Sequence, residues 1–82
     1  MEPNKIILIT GAARGIGHYI ASHFSFNASN KIYSLDILKP IAPISNVVYL
    51  HCDLADEKSI EANINKIEEK RLDVLINNAG TS

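Results

Sequence analysis

The 82-residue sequence predicts an α/β fold, an open, doubly wound parallel sheet built in the order β-α-β-loop-β-α-β. Three observations carry that prediction. Four short runs of β-branched and apolar residues lack polar alternation, the mark of strands buried on both faces. Two of the connections between them hold apolar residues at helical spacing, so the strands are joined by crossovers and run parallel. A cluster of glycines stands where the first run ends.

The first run, Lys5-Ile6-Ile7-Leu8-Ile9-Thr10, stops at Gly11. Over 15–26, Ile16, Ile20 and Phe24 form a helical stripe roughly 80° wide, and Asn27-Ala28-Ser29-Asn30 breaks it. Lys31-Ile32-Tyr33-Ser34-Leu35-Asp36 reads as the second strand and Val47-Val48-Tyr49-Leu50-His51-Cys52 as the third, both rich in β-formers. Asp56 is a good N-cap for a helix over 56–70, on which Ile60, Ile64 and Ile67 lie within roughly 60° of one another. Glu57, Lys58, Glu61, Lys66, Glu68 and Glu69 cover the rest of that helix. Val74-Leu75-Ile76 makes a fourth buried strand, ending at Asn77-Asn78-Ala79-Gly80. Between the second and third strands lie only the residues 38–46, with Pro40 and Pro43 opposing a helix, where a parallel crossover normally needs at least about ten. An irregular loop is expected there, leaving part of one sheet face less covered. Right-handed crossovers then set the strand order 3-2-1-4, with the two helices on opposite faces.

Composition narrows the function. With 46% hydrophobic and 21% charged residues the chain is not of a disordered class. Eight basic against nine acidic residues leave a net charge of -1, so no field draws in nucleic acid or an anionic membrane, and neither is an expected partner. The single cysteine, Cys52, cannot form an internal disulfide, which favours a cytoplasmic setting. The run Ile6 to Ile9 is too short for a signal peptide or a membrane span. His18 and His23 point about 140° apart on a helix, and His51 beside Cys52 has no further ligands, so no metal site is expected.

Thr10-Gly11-Ala12-Ala13-Arg14-Gly15-Ile16-Gly17 joins a strand end to a helix start. Gly11 permits a tight turn, Gly15 lets a ligand approach the backbone, and Gly17 allows close helix contact. Unpaired N–H groups and the positive end of the helix dipole suit a pyrophosphate there. Turn and packing chemistry alone is the competing reading. Asp36 closes the second strand 25 positions after Gly11, where a dinucleotide-binding unit places the acid that holds the adenosine ribose. A carboxylate accepts from the 2′- and 3′-hydroxyls and repels a 2′-phosphate, which favours NAD over NADP; the other reading is a strand-end Asp opening a turn.

The spacing G-x-x-x-G-x-G, with Thr10 before it and Ile16 between the last glycines, resembles the TGxxxGIG fingerprint of the classical short-chain dehydrogenase/reductase family. Asn77-Asn78-Ala79-Gly80 matches that family's NNAG segment in the correct order. The resemblance runs from Lys5 to Gly80 and implies a Rossmann-type NAD(P)-binding segment over 1–82, a partial domain without the catalytic half. It implies cofactor contacts at Gly11, Gly15, Ile16, Gly17, Asn78, Ala79 and Gly80, with Asn77 structural and Thr10 bracing the glycine loop. Arg14 stands where many NADP-using members carry a basic residue. It is read as a cofactor contact or a solvated loop arginine, and Asp36 decides for NAD. Asp53-Leu54 resembles the pair that holds the adenine amino group and flanks the ring, although Asp53 would equally cap the following helix.

In that family catalysis uses a Tyr-x-x-x-Lys pair with an upstream Ser, the lysine lowering the tyrosine pKa. Four residues after Tyr19, Tyr33 and Tyr49 stand His23, Ile37 and Asp53, and Ser82 lies too early to be the catalytic serine. No catalytic residue is therefore assigned. The resemblance implies an NAD-dependent oxidoreductase whose complete form acts on a small alcohol or carbonyl substrate and forms a homo-oligomer, while this chain alone is inactive. The alternatives are a non-catalytic nucleotide-binding or regulatory protein of the same fold, or a truncated product with no independent function. An apolar fourth strand left at the sheet edge predicts a marginally stable chain that self-associates.

Overall fold

A computed structural model describes residues 4–79. Along the chain lie β1 (Ile6–Thr10), α1 (Gly15–Ser25), β2 (Lys31–Asp36), β3 (Val47–His51), α2 (Glu57–Ile64) and β4 (Val74–Asn77). The four strands form one sheet in the order β3-β2-β1-β4, and every pairing is parallel. This is the topology expected from the crossovers. β1 is central, and Ile6, Ile7 and Ile9 are almost wholly buried, which is why its sequence shows no polar alternation.

Register sorts the apolar residues between the faces. Ile7 stands between Ile32 and Val74, and Ile9 between Ser34 and Ile76. Ile7, Ile9, Ile32 and Val47 form the core with Ala12 and with Ala21 of α1, while Ile20, Phe24, Ile44, Tyr49, Val74 and Ile76 pack against it. Strand side chains alternate, so Leu8, Tyr33 and Leu75 lie on the opposite face. There Leu8 lines a groove of about 330 Å³ with Ile64 and Ile67. The two helices thus cover opposite faces.

Both helices depart in detail from their sequence patterns. In α1 the buried residues are Gly17 and Ala21, and Ile16 is 72% exposed. The smallest residues let the helix lie close to the sheet; of the predicted stripe Ile20 and Phe24 pack against the core and Ile16 alone turns away. The second helix ends at Ile64 rather than running to 70, so Ile67 and Glu69 lie beyond it. Lys66 N donates to Asn63 O and Ile67 N to Ile64 O, tight i to i+3 bonds that turn the chain out of the helix. Asn63, 3% exposed, causes part of this: its side-chain amide donates to the carbonyls of His51 and Ser59 and anchors α2 on the end of β3. At the other end Asp56 caps α2 by accepting from Lys58 N.

The 37–46 connection contains no helix, only bends and a turn. It is pinned where Ile44 N donates to the Tyr49 hydroxyl. The uncovered space left below it is a cavity of about 270 Å³ between Ser34, Tyr49 and His51 on the sheet and Leu38, Lys39 and Pro40 on the loop.

Candidate functional site

At the carboxyl end of β1 the chain enters two left-handed glycines, Gly11 at φ +79° and Gly15 at φ +61°. A side chain at Gly11 would stand 3.1 Å from the Ala79 backbone and from Asn78 Nδ2. At Gly17 it would run into the Gly11 carbonyl, so the third glycine is what seats α1 on the turn. At Gly15 a Cβ would meet nothing within 4 Å, which leaves the backbone there open to an approaching group. Arg14 is the N-cap of α1 but makes no side-chain cap bond, and the first turn holds no acid. Neither supplies the acceptor that a helix start seeks, so its electropositive end remains available to an anion.

Residues from the far end of the chain hold this turn. Thr10 Oγ1 accepts from the backbone N–H of Asn78 at 3.1 Å and of Ala79 at 3.0 Å, and its hydroxyl donates to Asn77 Oδ1 at 3.3 Å. The Asn78 amide donates to the Gly11 carbonyl at 3.1 Å. Asp36 closes the other side: Oδ2 accepts from Ala13 N at 3.3 Å and Oδ1 from Leu38 N at 2.9 Å. Its carboxylate therefore bridges the glycine loop and the 37–46 loop, with lone pairs remaining for hydroxyl donors.

These elements enclose a cavity of about 550 Å³ that brings Gly11, Arg14, Asp36, Leu54, Asn78 and Ala79 together. Leu35, Ile37 and Leu38 complete its lining and were not among the sequence candidates. Their sequence signal was limited to two large apolar residues just past a strand end, Ile37 and Leu38; in the structure each is about half exposed, at 52% and 51%. Leu54, 38% exposed, stands across the same cavity. Gly15, Ile16 and Gly17 lie on the helix-start side rather than in the cavity lining. Asp53 is also absent from the lining. Its Oδ1 accepts from Ala55 N at 3.0 Å and its N–H donates to Ser59 Oγ at 3.0 Å, so it holds the turn that enters α2. Gly80 lies outside the described residues.

The short chain dehydrogenase family model matches residues 5–82. The chain belongs to that family. It is 33% identical to meso-2,3-butanediol dehydrogenase of Serratia marcescens, over 94% of this chain and 34% of that protein. The aldohexose dehydrogenase of Thermoplasma acidophilum has a superposable structure, with TM-score 0.80 and 32% identity over 95% of this chain and 30% of the other. A short chain dehydrogenase from Leptospira borgpetersenii with bound NAD+ superposes with TM-score 0.75 and 28% identity, covering 99% of this chain and 33% of that one. The chain thus spans about a third of the length of these relatives. The glycine turn, Asp36 and the end of β4 all stand at the carboxyl ends of the parallel strands. Among the described residues no helix is long and apolar enough to cross a membrane.

Proposed function

We propose that this chain is the adenosine-binding part of an NAD(P)-dependent short-chain oxidoreductase whose complete form moves a hydride between cofactor and an alcohol or carbonyl substrate. The observation that carries this reading is the Asp36 carboxylate, fixed by two backbone N–H groups at the rim of the cavity that also contains the glycine turn. A nicotinamide dinucleotide fits the groups present. The open backbone at Gly15 and the uncapped start of α1, including Ile16 and Gly17, suit the pyrophosphate. Asp36 would take the ribose hydroxyls, Leu54 with Ile37 and Leu38 would flank the adenine, and Asn78, Ala79 and Gly80 would line the adenosine side. Asp53 is assigned to the adenine amino group through whichever lone pairs its turn leaves open, and Arg14 to a phosphate. When bound, the cofactor supplies the hydride acceptor or donor.

The Asp36 assignment favours NAD over NADP, because a 2′-phosphate would stand against a carboxylate whose position is fixed. Calorimetric titration of the chain with NAD and NADP tests both levels. NAD is expected to bind at least about tenfold more tightly than NADP, a difference of about 1.4 kcal/mol, and Asp36→Asn is expected to remove most of that ratio. Binding of neither cofactor would overturn the dinucleotide reading. An unchanged ratio in Asp36→Asn would remove Asp36 from the ribose role alone.

A further inference from the structure

Beyond β3 the sheet stops supplying partners. Cys52 N–H still reaches the Asp36 carbonyl at 3.0 Å, but β2 ends at Asp36, so no strand stands beside the next donor, Asp53 N–H. The start of α2 that follows presents donors of its own rather than acceptors. A side chain fills the gap: Ser59 Oγ accepts from Asp53 N–H at 3.0 Å. Ser59 stands partly buried in α2 and is itself tied on both sides. Its hydroxyl donates to the buried Cys52 thiol, with Oγ 3.8 Å from Sγ. Its carbonyl accepts at 2.8 Å from the Asn63 amide, which also holds the His51 carbonyl at 2.9 Å. The end of β3 and the first turn of α2 thus form one hydrogen-bonded unit around Asp53.

Within that unit Asp53 has little freedom left. Its carbonyl accepts from Asp56 N at 3.0 Å and Oδ1 from Ala55 N at 3.0 Å, while Oδ2 has no partner among the described residues. Leu54, the next residue, lines the cavity of about 550 Å³ together with Asp36. We propose, resting on the dinucleotide reading above, that Ser59 is a positioning residue for the adenine end of that cavity, holding the Asp53 backbone so that Oδ2 and Leu54 keep their places. Without the Ser59 hydroxyl the Cys52–Asp53 peptide loses its acceptor and can turn, and the carboxylate turns with it. A carboxylate oxygen held in place accepts from an exocyclic amino group and repels a carbonyl oxygen in the same position. Ser59 therefore governs the selection of adenine over hypoxanthine. Alanine is a strong helix former and Asp56 caps α2 independently, so removing the hydroxyl leaves the helix in place.

Calorimetric titration of the chain with NAD and with nicotinamide hypoxanthine dinucleotide, in which a carbonyl replaces the amino group, tests this role. The native chain is expected to favour NAD by about tenfold, the scale of one hydrogen bond to a charged group. In Ser59→Ala that preference should fall to about threefold or less with the circular dichroism unchanged, and Ser59→Thr, which keeps the hydroxyl, should retain it. A loss of stability alone would weaken both dinucleotides equally and leave their ratio where it was. A Ser59→Ala chain that keeps the native ratio would overturn the proposal, and so would a native chain that binds the two dinucleotides equally. Binding of neither would overturn the dinucleotide reading itself, and this role with it.

Discussion

Under α1, Ile7, Ile9, Ile32 and Val47 are sealed by Ala21, Ile20 and Phe24; under α2, Leu8 opens onto a groove of about 330 Å³, and Leu75 is 59% exposed. The two faces carry similar strand residues and differ in what fastens the helix. Gly17 and Ala21 bring α1 down onto the sheet by having almost no side chain. The α2 side is held by polar pins: the Asn63 amide on the His51 carbonyl, and the Tyr33 hydroxyl donating to Glu69 at 2.6 Å. Close packing excludes water along a whole helix, whereas single hydrogen bonds fix points and leave the surface between them open. At the carboxyl edge Thr10, Asn78 and Asp36 cross-brace the glycine turn.

Substitutions can break this contrast, beginning with the largest expected effect. Gly17→Val would drive a side chain into the Gly11 carbonyl and the Asn78 amide, lifting α1 from the turn. A loss of about 3 kcal/mol in urea unfolding, together with loss of NAD binding, is expected. Thr10→Val keeps the shape but strips the acceptor from the Asn78 and Ala79 N–H groups, and about 2 kcal/mol should be lost in the same assay.

The polar pins should respond less and with a pH signature. Tyr33→Phe is expected to cost about 1 kcal/mol at neutral pH. Burial first, and the bond to Glu69 second, push the Tyr33 hydroxyl up to about 12. Its unfolded value lies near 10, so its contribution is intact below about pH 10 and drains away between about 10 and 12. Urea melts over that interval should fall for the native chain more steeply than for Tyr33→Phe. The smallest change at neutral pH is expected for Asp73→Asn at the entry to β4. The Ile6 N–H, at 2.7 Å, and then the Arg71 guanidinium hold the Asp73 carboxyl below the usual carboxylate range. Its contribution is present above about pH 4 and is lost as pH falls through the lowered folded value. Acid melts should therefore be shallower in Asp73→Asn.

β1 and β2 were legible because burial on both faces forbids polar positions, and the run Ile6 to Ile9 can belong to little else. β4 was read as buried in the same way, but no residue of it is fully buried and Leu75 is 59% exposed. The strand order followed from crossover handedness, and the glycine turn from the fixed spacing of Gly11, Gly15 and Gly17. The contact line of α1 was legible in part: Gly17 reads as a close-contact position, and Ile20 and Phe24 pack against the core as their spacing predicts. Ile16 turns away, whereas the small Ala21, to which periodicity gives little weight, is fully buried. The end of α2 was not legible. Ile67 fits a 3.6-residue period, but the side-chain anchor of Asn63 and the turn after it depend on where β3 ends. The role of Ile37 and Leu38 required knowing that the loop folds back over the Asp36 rim. Asp53 was readable only as two competing roles, and its bonds to Ala55 and Ser59 show the turn-holding one in place.

Thr10 finds its partners at Asn77, Asn78 and Ala79, separations of 67 to 69 residues. During synthesis the glycine turn is thus made well before it is braced, since closing so long a loop must precede any of these bonds. A chain released before β4 would carry every glycine of the motif and still lack the shape they serve.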